Sequence, residues 1–248
     1  MARIDLNCDM AELHPATKAN HDDEIMPYIS SCNISCGFHS GNPALIEKTI
    51  RSAIFHKRKI GAHPSYDDAK HFGRSSIAVD PAVLFAQLRY QVAAIKGMVE
   101  SLGSKLNHVK PHGALYNDMM ANSIMSKAFV RMIKELDPKL EVYGLAGSEM
   151  KKVCEQLKVK FVSEAFADRR YQSKTELRSR DLEDSVIHEP DDVLRQVDFL
   201  LSGKVQLFSS EMKDIEVETI CLHSDTRGAL ALCKLINQHL QSRGIEIR

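Results

Sequence analysis

The sequence predicts an α/β fold, a seven-stranded β/α barrel of distorted TIM-like form, from three observations. Short apolar runs recur along the chain, each ends abruptly in polar or small residues, and a helical pattern follows almost every one. Strand, functional turn and helix in alternation place a site at the C-terminal ends of parallel strands. Seven such units favour a distorted barrel over an open wound sheet, and a chain of 248 residues suits one barrel domain spanning 1–248.

The first predicted strand is Arg3–Asn7, and Asp22-Asp23-Glu24 opens a short helix towards Ser30, with the acids at its positive end. The second strand is Asn33–Ser35. Asn42-Pro43 starts a helix as cap and first-turn proline; Leu45, Ile46, Thr49, Ile50, Ala53 and Ile54 form its apolar stripe. The third strand, Lys59–Ala62, leads into a long polar loop, His63 to Val79. Asp80-Pro81 repeats the cap, and Val83, Leu84, Leu88, Val92, Ile95, Val99 and Leu102 give the next helix its apolar face until Gly103 ends it. The fourth strand is Leu106–Val109, followed by a Met- and Ala-rich helix that runs to Leu136 and stops at Asp137-Pro138. The fifth is Glu141–Gly144, with Ser148 capping a helix to Leu157. The sixth is Lys160–Ser163, and the polar stretch from Ala165 to Ile187 reads as a loop covering the site. Pro190 starts a helix to Leu201, Val205 to Ile215 reads as a hairpin, and the seventh strand, Thr219–Leu222, precedes a last helix over Thr226–Ser242.

Composition narrows the function. Hydrophobic residues make up 44%, enough for a sizeable core, and 33 basic side chains balance 33 acidic ones, which argues against a broad nucleic-acid surface. No run approaches the roughly 20 apolar residues that span a bilayer, and no signal-peptide pattern is present at Met1-Ala2-Arg3, so a soluble cytoplasmic protein is expected. The six cysteines read as reduced thiols, and Cys32 and Cys36 lack Cys-x-x-Cys spacing. No Gly-x-Gly-x-x-Gly follows the first strand and no Walker loop occurs, so the chain carries no nucleotide fingerprint of its own.

The strand ends carry the chemistry. Asn7 and Asp9 share one side of the first strand, with Asp5 in phase and Glu12 just beyond. A carboxylate there can hold a metal or take a proton, or simply cap the next turn. Gly37 and Gly41 bracket His39, and such glycines permit positive φ or close approach to a ligand. His63 and His112 end the third and fourth strands; with Asp9 they make an Asp-His-His metal set. Lys110 shares a face with His112, where it would bind a carboxylate, stabilise an oxyanion, snorkel to the rim, or act as a base if desolvation lowers its pKa. Tyr116 is close enough to join it. Glu164, Asp168 and Arg169 suit either a buried ion-pair network or a substrate clamp. His223 and Asp225 are strand-phased, compatible with an Asp-oriented histidine base, unless Asp225 or Thr226 caps the last helix. His14, His21, His56, His71 and His239 read as surface residues, and Met119, Met120, Met125 and Met132 as core filling.

In order along the chain, Ile-Asp-Leu-Asn-Cys-Asp (4–9), Cys-Gly-Phe-His-x-Gly (36–41), Gly-Ala-His-Pro (61–64), Phe-Gly-Arg (72–74), Val-Lys-Pro-His-Gly-Ala-Leu-Tyr (109–116), Gly-Leu-Ala-Gly-Ser (144–148), Glu-Ala-Phe-Ala-Asp-Arg-x-Tyr (164–171) and His-x-Asp-Thr (223–226) resemble the LamB/YcsF family. The blocks at 109–116 and 164–171 are highly specific. Loop glycines of the family pattern are replaced at Ala11, His21, Ser65 and Ser224, and Arg227 adds charge near the mouth. The resemblance implies a seven-stranded barrel related to the polysaccharide deacetylases. It also implies ATP-dependent opening of 5-oxoproline to glutamate together with 5-oxoprolinase subunits B and C, the ATP acting through those partners. By fold analogy it implies Asp9, His63 and His112 as ligands of a divalent metal; a metal-free site, with Asp9 and Lys110 transferring protons, is the other reading. On this basis Asp9, Glu12, Lys110 and His112 form the expected catalytic set. Asn7, His39, Tyr116, Glu164, Asp168, Arg169, His223 and Asp225 form the expected substrate site, with Arg169 on the substrate carboxylate. The rival expectations are a metal-dependent hydrolase of another amide and a non-catalytic substrate-binding subunit.

Overall fold

The computed structural model describes residues 2–13 and 20–248, so His14 lies outside the described residues. Seven parallel strands form the barrel: Arg3–Met10, Ser31–Ser35, Lys59–His63, Leu106–Val109, Glu141–Leu145, Phe161–Phe166 and Thr219–Leu222. Each pairs with the next, and the seventh returns to the first from Asp5↔Thr219 to Cys8↔Leu222, so the sheet closes and its edges are removed. A two-residue strand, Glu246–Ile247, adds at Arg3 and Ile4.

The helices between the strands arise where the caps predict. The Asn42 side chain accepts the Leu45 N–H, and the Asp80 side chain accepts those of Ala82 and Val83. Buried stripes such as Ile46, Thr49, Ile50 and Ala53 on Pro43–Phe55, and Leu232, Cys233, Ile236 and Leu240 on Ala229–Ser242, then cover the outer face of the barrel.

Four local expectations change. The helix expected to run to Leu136 is two, Gly113–Ala121 and Ser123–Leu136, because Asn122 leaves helical backbone and accepts the Ile124 and Met125 N–H groups, starting a new helix. Ser148 stands at its helix start but its hydroxyl makes no cap bond. Neither Asp225 nor Thr226 caps the last helix, which begins at Ala229 behind a left-handed Gly228. The stretch from Ala165 to Ile187 is not all loop, since Tyr171–Ser173 and Glu176–Leu177 pair antiparallel within it. The other hairpin forms as expected, from Lys204–Gln206 and Met212–Asp214.

Strand alternation sends Leu6, Cys8, Met10, Ile34, Ile60, Val109, Ile220 and Leu222 to the helical side, and sends polar residues inward. Buried inside are Asp5, Asn7, Asp9, Ser31, Asn33, His63, His108, Lys110, Glu164 and Thr219. Such an interior is stable only when its polar groups bond one another. Asp5 accepts from Ser30 and Ser31 at 2.8 and 2.5 Å and from Thr219 at 2.6 Å. Asn7 Nδ2 donates to Thr219 Oγ1 at 2.7 Å and to Glu164 Oε1 at 3.0 Å. Asn33 Nδ2 donates to Asn7 Oδ1 and Asp9 Oδ1, both at 2.8 Å, and Asn33 Oδ1 accepts from His108 Nε2 at 2.7 Å.

Gly61 is the residue that makes room for this network. A Cβ there would fall 2.1 Å from His108 Nε2. Gly61→Ala is therefore expected to cost about 3 kcal/mol by overpacking, read by urea unfolding. Combined with His108→Ala, it should cost clearly less than the sum of the two single changes. Strict additivity would mean that the contact does not set the size of this residue.

Candidate active site

The C-terminal ends of the strands open into a cavity of about 930 Å³, lined among others by Asp9, His63, Lys110, His112, Arg169 and His223. Three groupings meet there.

The first is the lysine cluster. Lys110, 2% exposed, places Nζ 3.0 Å from Asp9 Oδ1, 2.8 Å from Glu164 Oε1 and 3.3 Å from Asn7 Oδ1, with Cys221 Sγ at 3.1 Å. Three ammonium protons are shared among three oxygens and the Cys221 sulfur, so none is left over for a ligand. Burial acts to lower the pKa of Lys110, but Asp9, Cys221 and Glu164 outweigh it and hold it well above the usual lysine range. Desolvation does not yield a neutral lysine base here; Lys110 is a fixed cation. Burial likewise acts to raise Asp9, and His63 and Lys110 reverse it, holding the carboxyl well below its usual range. Asp9 is an ionised carboxylate.

The second is the histidine cluster. His63 Nδ1 donates to Lys110 O at 2.7 Å, and His112 Nε2 donates to Phe72 O at 2.9 Å. With the outer nitrogens so engaged, His63 Nε2 and His112 Nδ1 face each other at 2.9 Å, with Asp9 Oδ2 3.3 Å from His63 Nε2. The loop that fixes His112 is itself tightly fitted: Gly113, at φ +56°, leaves no room for a Cβ, which would sit 2.4 Å from Gly73 O. His39 and Glu12 lie against this pair. The His39 ring stacks on His112 with centroids 3.7 Å apart, and its Nε2 is 2.8 Å from Glu12 Oε1. Burial and the nearby Asp9 raise the Glu12 carboxyl well above its usual value, and burial lowers His39 and His112.

The third grouping is made by the sixth and seventh strand ends. Asp168, not Asp225, orients His223: His223 Nδ1 is 3.0 Å from Asp168 Oδ1, and Thr226 Oγ1 donates to Asp168 Oδ2 at 2.5 Å. The His223 ring stacks on Phe166 at 5.3 Å. Asp225 instead pairs with Arg74 and with Arg180, the latter at 3.8 Å. Glu164, Asp168 and Arg169 do not form one ion-pair network, because alternation and the strand end send them to different partners. Arg169 donates to Ser185 O at 3.4 Å and Arg178 O at 2.6 Å, and among the described residues no carboxylate lies within ion-pair distance of it. Burial, with Arg180 adding to it, lowers its pKa to about 10. Tyr116 packs edge-on to Phe166, and its hydroxyl has no partner among the described residues.

A family model described as the LamB/YcsF family matches residues 4–248. The chain belongs to the LamB/YcsF family. Proteins similar to this LamB/YcsF chain include the 5-oxoprolinase A subunit of Bacillus mycoides (strain KBAB4), 39% identical over 249 aligned positions that cover 100% of this chain and 98% of the relative. The 5-oxoprolinase A subunit of Acinetobacter baumannii (strain AB307-0294) is 42% identical over 99% of this chain and 97% of its own length. The crystal structure of a lactam utilization protein from Thermus thermophilus superposes with a TM-score of 0.90 at 32% identity, covering 99% of both chains.

The sequence reading passes over several residues that this LamB/YcsF barrel brings into the site. Asn33 and His108 are inward-phased polar residues on strands, and that phase is the signal that could find them; His108 stands two residues before Lys110. Arg74 and Arg180 come from loops distant in sequence, and no periodicity points to their meeting at Asp225. Ser65, which takes His39 Nδ1 at 2.8 Å, is likewise visible only in the folded chain.

Proposed function

We propose that this chain is the hydrolytic component of a multi-subunit 5-oxoprolinase, opening the lactam of 5-oxoproline to glutamate in the cytoplasm, with subunits B and C as partners. The relatives' names support the substrate. One observation carries the chemistry: an ionised carboxylate, Asp9, held between a fixed cation and converging imidazoles, faces the same cavity as a guanidinium without a carboxylate partner, Arg169. Opening an unactivated amide needs a large reduction of its barrier. The chain carries no nucleotide fingerprint, so the use of ATP is assigned to the partners. Among the described residues no helix is long and apolar enough to cross a membrane.

In this reading Arg169 binds the substrate carboxylate and fixes the ring in the cavity. Asp9 orients the attacking water and accepts its proton as the new C–O bond forms. Lys110 keeps Asp9 ionised and adds positive potential beside the carbonyl without spending a hydrogen bond on it. As the C–N bond breaks, His223, oriented by Asp168, delivers a proton to the leaving nitrogen, giving the free amine of glutamate. With both rings neutral, the inner nitrogens of His63 and His112 together with Asp9 would suit a divalent cation, since each imidazole is anchored through its outer N–H to a carbonyl. Such an ion would supply Lewis acidity towards the lactam carbonyl.

The test is glutamate release from 5-oxoproline and ATP by this chain with its B and C partners, each component omitted in turn. Glutamate that depends on this chain and on ATP is the expected result. No glutamate, with B and C active beside another family member in place of this chain, overturns the substrate; ATP-independent turnover of another amide would replace it. Arg169→Met is expected to raise KM about 10- to 100-fold with kcat little changed, from the loss of a charge-assisted hydrogen-bonded pair of about 1.5–3 kcal/mol. An unchanged KM would remove Arg169 from substrate binding.

A further inference from the structure

The fifth strand, Glu141–Leu145, also ends at the cavity, through Leu145, Gly147 and Ser148, and takes no part in the chemistry above. Here the chain turns through Gly147, at φ +75°, into the nine-residue helix Glu149–Leu157. Ser148 stands at the N-cap position, where a serine hydroxyl ordinarily accepts an N–H of the first turn. It does not do so. Ser148 Oγ, on a residue 2% exposed, has no hydrogen-bond partner among the described residues. Nor do the N–H groups of Glu149, Met150 and Lys151 meet an acceptor among them. Glu149, the acid of this first turn, pairs with Lys152 at 2.6 Å and does not cap the helix either. The antiparallel pair Tyr171–Ser173 and Glu176–Leu177 rests on the same turn, since a Cβ at Gly147 would fall 3.3 Å from Thr175 Cγ2, and Thr175 lines the cavity too. A buried hydroxyl and the N–H groups of one helix end are therefore left unsatisfied side by side at the cavity wall.

We propose that Gly147, Ser148 and the first turn of Glu149–Leu157 form an oxyanion subsite, distinct from Arg169, that takes a phosphate group. The N-terminus of a helix carries about half a positive charge and presents its N–H groups to an anion. Ser148 adds a hydroxyl donor beside them. Several neutral, directional donors at one place suit the several oxygens of a phosphate, whereas Arg169 offers a guanidinium to a carboxylate. The cavity has room for both. Its volume of about 930 Å³ lies at the upper end of the range of about 300–1,000 Å³ that holds drug-sized ligands, and a five-membered lactam fills only part of it. The subsite deepens the 5-oxoprolinase reading and rests on it for the source of the phosphate: the ATP used by the partner subunits supplies it, as the free anion or as a group carried on a ligand. The subsite itself rests on Ser148 and the helix end alone.

The experiment titrates the full, isotopically labelled chain with inorganic phosphate, and in a second arm with methyl phosphate, and follows the backbone amide resonances. Saturable shifts are expected at Gly147, Glu149, Met150 and Lys151, in the wild type and in Arg169→Met alike. Ser148→Ala should bind phosphate about 10-fold or more weakly, the scale of one hydrogen bond to a charged group. Saturation by both anions marks a place for a phosphoryl group carried on a ligand, and saturation by inorganic phosphate alone marks a place for the free anion; either result supports the subsite. No saturable shift at these four amides overturns it. So does wild-type affinity in a folded Ser148→Ala, or a response that disappears in Arg169→Met, which would put the anion on the guanidinium instead. The wild-type and Arg169→Met shifts keep the test decisive if Ser148→Ala fails to fold. None of these readouts involves 5-oxoproline or turnover, so failure of the lactam assay leaves them standing.

Discussion

Asp9→Asn is expected to lower turnover about 1,000-fold or more, the scale of a lost general base, while the protein still folds and unfolds cooperatively, at a lower midpoint because the charge favoured by His63 and Lys110 is gone. The second half of that expectation follows from the contacts. Asp9 Oδ1 accepts from Asn33 at 2.8 Å and from Lys110 at 3.0 Å, while Oδ2 faces His63 Nε2 at 3.3 Å. An asparagine in the same rotamer keeps its oxygen on Asn33 and Lys110 and places its amide nitrogen towards His63 Nε2. Lys110 retains Glu164 as counter-ion. The substitution therefore removes charge and proton affinity with little change in packing. Glutamate release in the reconstituted system, with thermal unfolding alongside, checks both halves, and wild-type rates in the variant would remove Asp9 from the chemistry.

Lys110→Met should have the largest effect on stability. It leaves two buried carboxylates, Asp9 and Glu164, facing each other without the cation that both now contact. Removing one member of a buried charge cluster typically costs about 3–5 kcal/mol. The sign of the pH dependence distinguishes this cause from simple loss of packing. In the wild type the Asp9 carboxyl is depressed, so its stabilisation is present above the unfolded value, near pH 4, and is lost as pH falls through the folded value. In the variant the Asp9 carboxyl loses one of the cations that hold it down, so the deficit is small at acid pH, where that carboxyl is protonated, and grows as pH rises. Urea unfolding at acid and neutral pH reads this directly. Adding Glu164→Gln should recover part of the loss at neutral pH. A deficit that is the same at both pH values, with no recovery, would mean that Lys110 matters for its volume and not for its charge.

The barrel is legible in the sequence because its signals are local. Asn42-Pro43 and Asp80-Pro81 satisfy helix-start N–H groups within three residues, and the stripes at helical spacing need no knowledge of what covers them. The seventh strand reads to its observed limits, Thr219–Leu222, since it is short, apolar and bounded by polar residues. The break at Asn122 escapes such a reading because Met- and Ala-rich sequence continues a helical pattern on both sides, while the cap depends on one side chain turning back onto the backbone.

The alternation of strands and helices, the placing of Asp9, His63, Lys110, His112 and His223 at strand ends, and the family are all set in the linear order of residues. Which of those residues touch is settled by the folded chain alone. That Asp168 and not Asp225 orients His223, that Lys110 is a cation held by two carboxylates, and that Glu12 and His39 join the histidine pair all depend on the closure of the barrel. The physical reason is one of range. Caps and periodic stripes act over a few residues, whereas a buried charge takes its protonation state and role from groups that the fold brings within about 4 Å, here across a sequence separation of 101 from Asp9 to Lys110.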